Sequence, residues 1–63
     1  MKEIEFQLKI MNKWLKDGWS LKNIYDEVVY YLGSLDGAAI FFEFAKQHKK
    51  NAKFMKEFNS TAF

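Results

Sequence analysis

The chain contains 63 residues, enough for one small helical domain over residues 1–63 and too few for a multi-domain enzyme. Zero Cys and a single His argue against a disulfide framework and a zinc site, so no metal or cofactor is expected. The longest apolar run, residues 38–42, is far shorter than the ~20 residues of a membrane span. Because the start lacks the apolar stretch of a secretion signal, we expect a cytoplasmic protein with no membrane contact. Aromatic residues reach 19%, a proportion that is typical of a folded domain.

The first predicted helix covers residues 2–16. Its apolar residues recur with helical spacing and share one stripe: Ile4, Leu8, Met11 and Leu15. Residues 4–10 also alternate between apolar and polar, which is a strand pattern. A lone strand would have no partner elsewhere in the chain, so we favour a helix. Gly18 is expected to end it, because glycine readily takes a positive φ.

The second predicted helix follows Ser20, a residue type that caps helix N-termini. Trp19 before this cap and Ile24 within the helix have the spacing of a hydrophobic staple. Gly33 is expected to stop the helix. The sequence therefore predicts a second helix over residues 21–32.

The third predicted helix starts at Ser34 or, as we favour, after Asp36 as its cap, with Leu35 and Ile40 as a staple pair. It continues to about residue 59, and residues 60–63 are expected to fray. The predicted fold class is therefore all-α, a compact three-helix domain with a long C-terminal helix. An alternative is that this helix breaks near Asn51, so that its last turns form a short fourth helix.

Candidate catalytic groups are not clustered in the sequence. Ser20 and Ser34 stand where helix starts need caps, and His48 is remote from both. No acidic residue has another at the i+3 or i+4 position, which paired carboxylates on a helix require. The sequence also lacks a glycine-rich phosphate loop. We therefore expect a protein that is not an enzyme.

His48 falls within the apolar arc of the third predicted helix, one turn from Asn51. The first interpretation is a partly buried polar pair that shares a hydrogen bond, or a position at the edge of the core. The second is a polar notch that fixes the register of a partner helix, as buried Asn does in coiled coils. The third is the helix break near Asn51 described above.

A basic face is predicted late in the chain. Five lysines against two glutamates give residues 43–57 a charge of +3, and the lysines are Lys46, Lys49, Lys50, Lys53 and Lys56. Such a face is either simply solvated or in contact with phosphates or an acidic protein surface. The second and third helices, joined by a Gly-containing turn, resemble a helix-turn-helix. However, the recognition positions would hold Gly, Ala and Phe, and the chain has no Arg for base contacts.

The predicted helices carry more apolar surface than one small core needs. A second stripe on the first helix lies beside its core stripe, and a third helix of ~33 Å would overhang its neighbours. Exposed apolar patches usually mark interfaces. The residues that we expect at such an interface are Phe6, Ile10, Trp14, Tyr30, Phe42, Phe54, Met55 and Phe58. The alternative is a fold-back that buries them internally.

These observations predict a small helical interaction module. We expect a homodimer in which the third helices bury each other, together with a protein partner. Its role would be that of a regulator or inhibitor, of the kind that phages and mobile elements encode. The alternative is a small DNA- or RNA-binding regulator that uses the basic face on phosphates.

Overall fold

Four α-helices make up the fold, in a computed structural model that describes the backbone of residues 2–63 and the side chains of residues 4–63. They are α1 (Lys2–Lys16), α2 (Leu21–Leu32), α3 (Ser34–Gln47) and α4 (Ala52–Ser60). No strand occurs within residues 2–63, so the alternating segment 4–10 is helical. The prediction of an all-α domain is confirmed.

The corner between α1 and α2 forms as the sequence predicts. Gly18 has a φ of +100°, and its N–H donates to Leu15 while the N–H of Trp19 donates to the carbonyl of Trp14. These two hydrogen bonds define a Schellman motif at the C-terminus of α1. In this motif the donor and the acceptor of the longer-range bond, here Trp19 and Trp14, also make an apolar contact. Here the rings of Trp14 and Trp19 stack, with centroids 4.6 Å apart and planes 8° apart. Ser20 then caps α2 by accepting a hydrogen bond from the N–H of Asn23.

Helix α3 begins at Ser34, so the prediction that Asp36 caps it is wrong. Gly33, with a φ of +87°, turns the chain in a single residue, and its carbonyl accepts the N–H of Gly37 at 2.8 Å. The helix therefore resumes at once, and Asp36 lies inside its first turn. Leu35 is 86% exposed, so the predicted staple between Leu35 and Ile40 does not form.

The long third helix is also a wrong prediction, and the alternative of a short fourth helix is confirmed. Helix α3 ends at Gln47, and Asn51 caps α4 by accepting the N–H of Phe54 at 3.1 Å. The break lets α4 fold back and bury Phe54, which is 4% exposed. The longest dimension of the molecule is 27 Å, shorter than the ~33 Å of the predicted rod.

Helices α1 and α3 run parallel, with α2 antiparallel to both. The start of α1 lies beside the first half of α3, and Asn12 near its end contacts the last residue of α3. Helix α4 lies at the same end of the bundle as this contact, beside the start of α2, where the Glu57 carboxylate accepts the N–H of Leu21 at 2.7 Å. The buried core draws on all four helices and comprises Met11, Leu21, Ile24, Val28, Ile40, Phe41, Phe44, Ala45 and Phe54.

Helices α2 and α3 are in close contact at Gly37. A Cβ atom at this position would lie 2.7 Å from the Cα atom of Val29 and 3.0 Å from its backbone nitrogen. Such distances are well inside van der Waals contact, so only glycine allows the two backbones to pack this closely. This contact fixes which side of α3 faces the core.

Candidate interaction surfaces

The core takes up part of the predicted interface. Phe54 is buried against Phe44 and against the His48 ring, so its assignment to a partner surface is wrong. Trp14, Met55 and Phe58 are half-buried and pack against the core. The predicted overhang does not exist, because α4 folds back and packs Phe54, Met55 and Phe58 against the core.

The last residue adds to this packing, although residues 61–63 lie beyond the helix and Phe63 is 43% exposed, so the predicted fraying of residues 60–63 stays a prediction. The Phe63 ring lies 5.0 Å from the Phe41 ring and 5.5 Å from the Phe58 ring. It also lies 5.1 Å from the ring of Tyr25. These aromatic contacts hold the end of the chain on α2, α3 and α4, because each ring pair adds dispersion and quadrupole attraction.

Several other predicted interface residues remain at the surface. Phe6 and Phe42 are each 61% exposed and Tyr30 is 80% exposed, whereas Ile10 is half-buried. Their part in an interface stays a prediction. Four further exposed apolar or aromatic side chains were not among the predicted interface residues: Ile4, Tyr31, Leu35 and Phe63.

The outer face of α3 is the first candidate surface. We define it as Leu35, Ala38, Ala39 and Phe42, all of which are exposed. These residues follow i, i+3, i+4, i+7 spacing, so they form one stripe on the helix. The stripe lies opposite the inner face, which buries Gly37, Ile40, Phe41, Phe44 and Ala45. The spacing was visible in the sequence, but Leu35 had been assigned to a staple.

A groove between α1 and α3 is the second candidate surface. It is an open depression with a volume of about 620 Å³. Apolar side chains form much of its wall, and two carboxylates stand beside them. The described lining residues are Ile4, Phe6, Gln7, Leu32, Asp36, Ala39, Ile40 and Glu43. The groove joins elements distant in sequence, so no local pattern could have revealed it.

A polar cluster joins α1 to the end of α3. The amide nitrogen of Asn12 donates to the Leu8 carbonyl at 2.9 Å and to Gln47 Oε1 at 3.1 Å. Asn12 Oδ1 is therefore an acceptor, and His48 Nε2 donates to it across 2.6 Å. Burial lowers the pKa of the His48 imidazole below its ordinary value of 6.5.

His48 does form a partly buried polar pair, but its side-chain partner is Asn12 on α1 and not Asn51, whose side chain caps α4. The His48 ring packs against Phe44 and Phe54. The helix break near Asn51 is present as well. The cluster therefore connects α1 with the α3–α4 turn, and the interpretation of His48 as a notch for a separate partner helix gains no support from these contacts.

The basic face is spread over the end of α3, the following turn and α4. Lys46 forms an ion pair with Glu43 at 3.3 Å, and its Nζ lies 5.6 Å from the centre of the Phe42 ring. The other four lysines of the face are exposed, and among the described side chains none of them forms an ion pair: Lys49, Lys50, Lys53 and Lys56.

A second depression, of about 500 Å³, lies beside the α1–α2 corner and is acidic. Asp17, Asp26 and Glu27 line it, and the first two pair with lysines four residues away, Lys13 and Lys22 respectively. In the described part of the chain, no three His, Asp or Glu residues are arranged to hold a metal ion. No helix among the described residues is long and apolar enough to span a bilayer.

The fold and these surfaces define the protein as a compact all-α domain with an apolar groove and an exposed apolar helix face. Comparison with protein families, with curated proteins and with solved structures finds no significant match. Any function must therefore be argued from the surfaces themselves.

Proposed function

We propose that the chain is a cytoplasmic helical interaction module, which binds an apolar segment of a partner protein in the groove between α1 and α3. It would act as a regulator or inhibitor by occupying a surface of that partner, with no cofactor. The observation that carries this proposal is the groove, with the exposed Phe6 ring in its wall. Concave sites with apolar walls and few polar groups are the usual form of a binding site.

The exposed area of Phe6 makes this residue the natural anchor. Fully buried aromatic side chains cover ~150–250 Å², so a ring that is 61% exposed leaves on the order of 100 Å² for a partner to cover. At ~25 cal/mol per Å², covering that area contributes about 2.5 kcal/mol. A few residues of this kind supply most of the binding energy in ordinary interfaces.

The charges of the groove indicate the chemistry of the partner. Asp36 and Glu43 both line it, seven residues and therefore two turns apart on α3, and no described lysine lines it. Glu43 also forms an ion pair with Lys46, which partly neutralises its charge, so Asp36 offers the stronger attraction to a basic residue of the partner. A partner segment with apolar anchors on one side and basic residues beside them would match, and an amphipathic helix presents such anchors at i, i+3 and i+4.

Affinity capture from the native host, followed by binding measurements with the purified partner, tests this proposal. We expect Phe6→Ser to weaken binding at least tenfold, because it removes the anchor without changing the core. Tyr30→Ser is the control, since Tyr30 is also an exposed aromatic residue but does not line the groove. Equal binding by the wild type and Phe6→Ser would refute the groove as the binding site.

The basic face supports a second candidate function, in which the lysines contact the phosphates of DNA or RNA. The observation in its favour is the set of four exposed lysines described above, which have no acidic partner among the described side chains. Helix α3 is not suited to read bases, because its exposed first half is apolar and acidic.

A salt titration of duplex binding separates the two functions. Binding led by phosphates weakens steeply as salt rises. We would then expect Lys49→Ser and Lys53→Ser to reduce the slope of the salt dependence, while Phe6→Ser leaves it unchanged. No detectable binding at ~50 mM salt would eliminate the nucleic-acid function and leave the groove proposal intact.

A further inference from the structure

We propose that the outer face of α3 pairs with the outer face of a second copy of the chain, with the two α3 helices antiparallel. This inference goes beyond the groove proposal and uses a different set of large side chains. Leu35 and Phe42 carry it, whereas Phe6 carries the groove. Each proposal can therefore fail without the other.

The first argument is that α3 is apolar on two opposite sides. Its inner face is buried in the core, yet its outer face presents Leu35 at 86% exposure and Phe42 at 61%. A helix on the surface of a lone domain usually carries one apolar stripe and a polar opposite side, whereas the side of α3 opposite its core stripe carries Leu35 and Phe42. The outer face therefore needs a covering surface.

The second argument is that the outer face is complementary to itself. Its residues are symmetric about the midpoint between Ala38 and Ala39, with a large side chain at each end and two small ones between. A twofold axis at this midpoint sets Leu35 of one copy against Phe42 of the partner subunit, and the alanines against each other. Small central residues let the helix axes approach at the short end of the usual ~8–10 Å. An isologous pair has this symmetry.

The third argument is the area available. Given ~150–250 Å² for a large apolar side chain, Leu35 and Phe42 together expose on the order of 250 Å² per copy. A stable interface buries about 600–1,000 Å² per partner, so the outer face supplies less than half of that area. We therefore expect a reversible dimer that dissociates at micromolar concentrations.

Sedimentation equilibrium between roughly 1 and 200 μM tests the pairing. The wild type should shift from 7.5 kDa toward twice that mass as its concentration rises. Phe42→Glu should remain at the monomer mass with an unchanged helical circular dichroism spectrum, because the side chain lies outside the core. Tyr30→Glu, an exposed aromatic control on α2, should dimerise as the wild type does. A wild type that stays at 7.5 kDa throughout, or a Phe42→Glu variant that dimerises normally, would overturn the proposal.

Cysteine cross-linking tests the antiparallel direction of the two α3 helices. The chain has zero native Cys, so any disulfide must come from the introduced residue. Ala38→Cys lies next to the proposed axis, so two copies should form a disulfide readily. Lys46→Cys lies along the same side of α3 but, at 1.5 Å per residue, roughly 20 Å from its symmetry mate in an antiparallel pair. We therefore expect no cross-link from it at the same protein concentration. Efficient cross-linking of Lys46→Cys would instead show a parallel pair and contradict the antiparallel geometry.

Discussion

Helix α3 presents large apolar side chains on two opposite faces, and the described part of the chain covers only one of them. On the inner face, Phe44 has no exposed surface and contacts Phe41, His48 and Phe54. On the outer face, Phe42 lies two positions away and contacts Lys46 at its ring face. The comparison shows that residue type does not decide which phenylalanine belongs to the core. A phenylalanine of α3 belongs to the core when it lies on the same side of the helix as Gly37, which packs against α2.

The largest expected difference between the two faces comes from truncating one phenylalanine on each. Phe44→Ala removes a fully buried ring and should lower the free energy of unfolding by ~3–5 kcal/mol, enough to unfold a domain of this size. Phe42→Ala should change it by no more than about 0.5 kcal/mol. Urea denaturation followed by circular dichroism measures both. Equal losses for the two variants would mean that the outer face is already packed within one copy.

Gly37→Ala tests what orients α3. Replacing glycine with alanine inside an exposed helix normally stabilises it by ~1 kcal/mol. Here the new methyl group would lie 2.7 Å from the backbone of Val29, so we expect a loss of about 1–3 kcal/mol instead. Ala38→Ser, on the exposed side next to it, is the control and should have little effect. Thermal unfolding measures the difference, and a rise in Tm for Gly37→Ala would show that α2 and α3 are not in close contact.

Asn51→Ala tests how α4 is held over the inner face. The substitution removes the side-chain oxygen that accepts the N–H of Phe54, and losses of a helix N-cap cost ~1 kcal/mol. Asn59→Ala, an exposed position near the end of the same helix, provides the matched control. If chemical denaturation gives both variants the same midpoint, the capping bond does not stabilise the fold-back.

The smallest expected effect is a pH dependence of the free energy of unfolding, which arises from His48 at the C-terminal end of α3. The pKa of His48 is lowered in the folded protein by burial, so the unfolded chain binds its proton more readily. The contribution of neutral His48 to the free energy of unfolding is therefore fully present above pH 6.5. It is lost as the pH falls from 6.5 through the lower pKa of the folded state. His48→Gln retains a donor toward Asn12 and should remove this part of the dependence. Denaturation midpoints at a series of pH values measure it, and parallel profiles for both proteins would contradict the assignment.

The sequence predicts those parts of the fold that local chemistry decides. Helices α1 and α2, the Ser20 cap and the Gly18 corner follow from spacing, a capping hydroxyl and a residue that accepts positive φ. The sequence leaves the end of α3 ambiguous. Asn51 favours a break in the helix, whereas the apolar residues before and after Asn51 keep the spacing of one continuous helix. Burial of Phe54 by a distant part of the chain decides between them, and such a tertiary contact is not visible in a local pattern.

The candidate surfaces were predictable only in part. Phe6 and Phe42 were expected to be exposed and are. The sequence does not reveal the full outer face, because Leu35 has the spacing of a hydrophobic staple with Ile40. Since α3 begins at Ser34, Leu35 lies inside the helix and is exposed instead. The link between Asn12 and His48 spans 36 positions, so sequence spacing offered no signal for it.

The stacked Trp14 and Trp19 rings, finally, make the α1–α2 corner optically distinctive. They are the two tryptophans of the chain, and their indole planes lie nearly parallel at 4.6 Å. Stacking holds both indoles in a fixed chiral environment, so we expect this corner to contribute near-ultraviolet ellipticity that is lost when the rings separate. Opening of this corner can therefore be followed in unlabelled protein, independently of helix content.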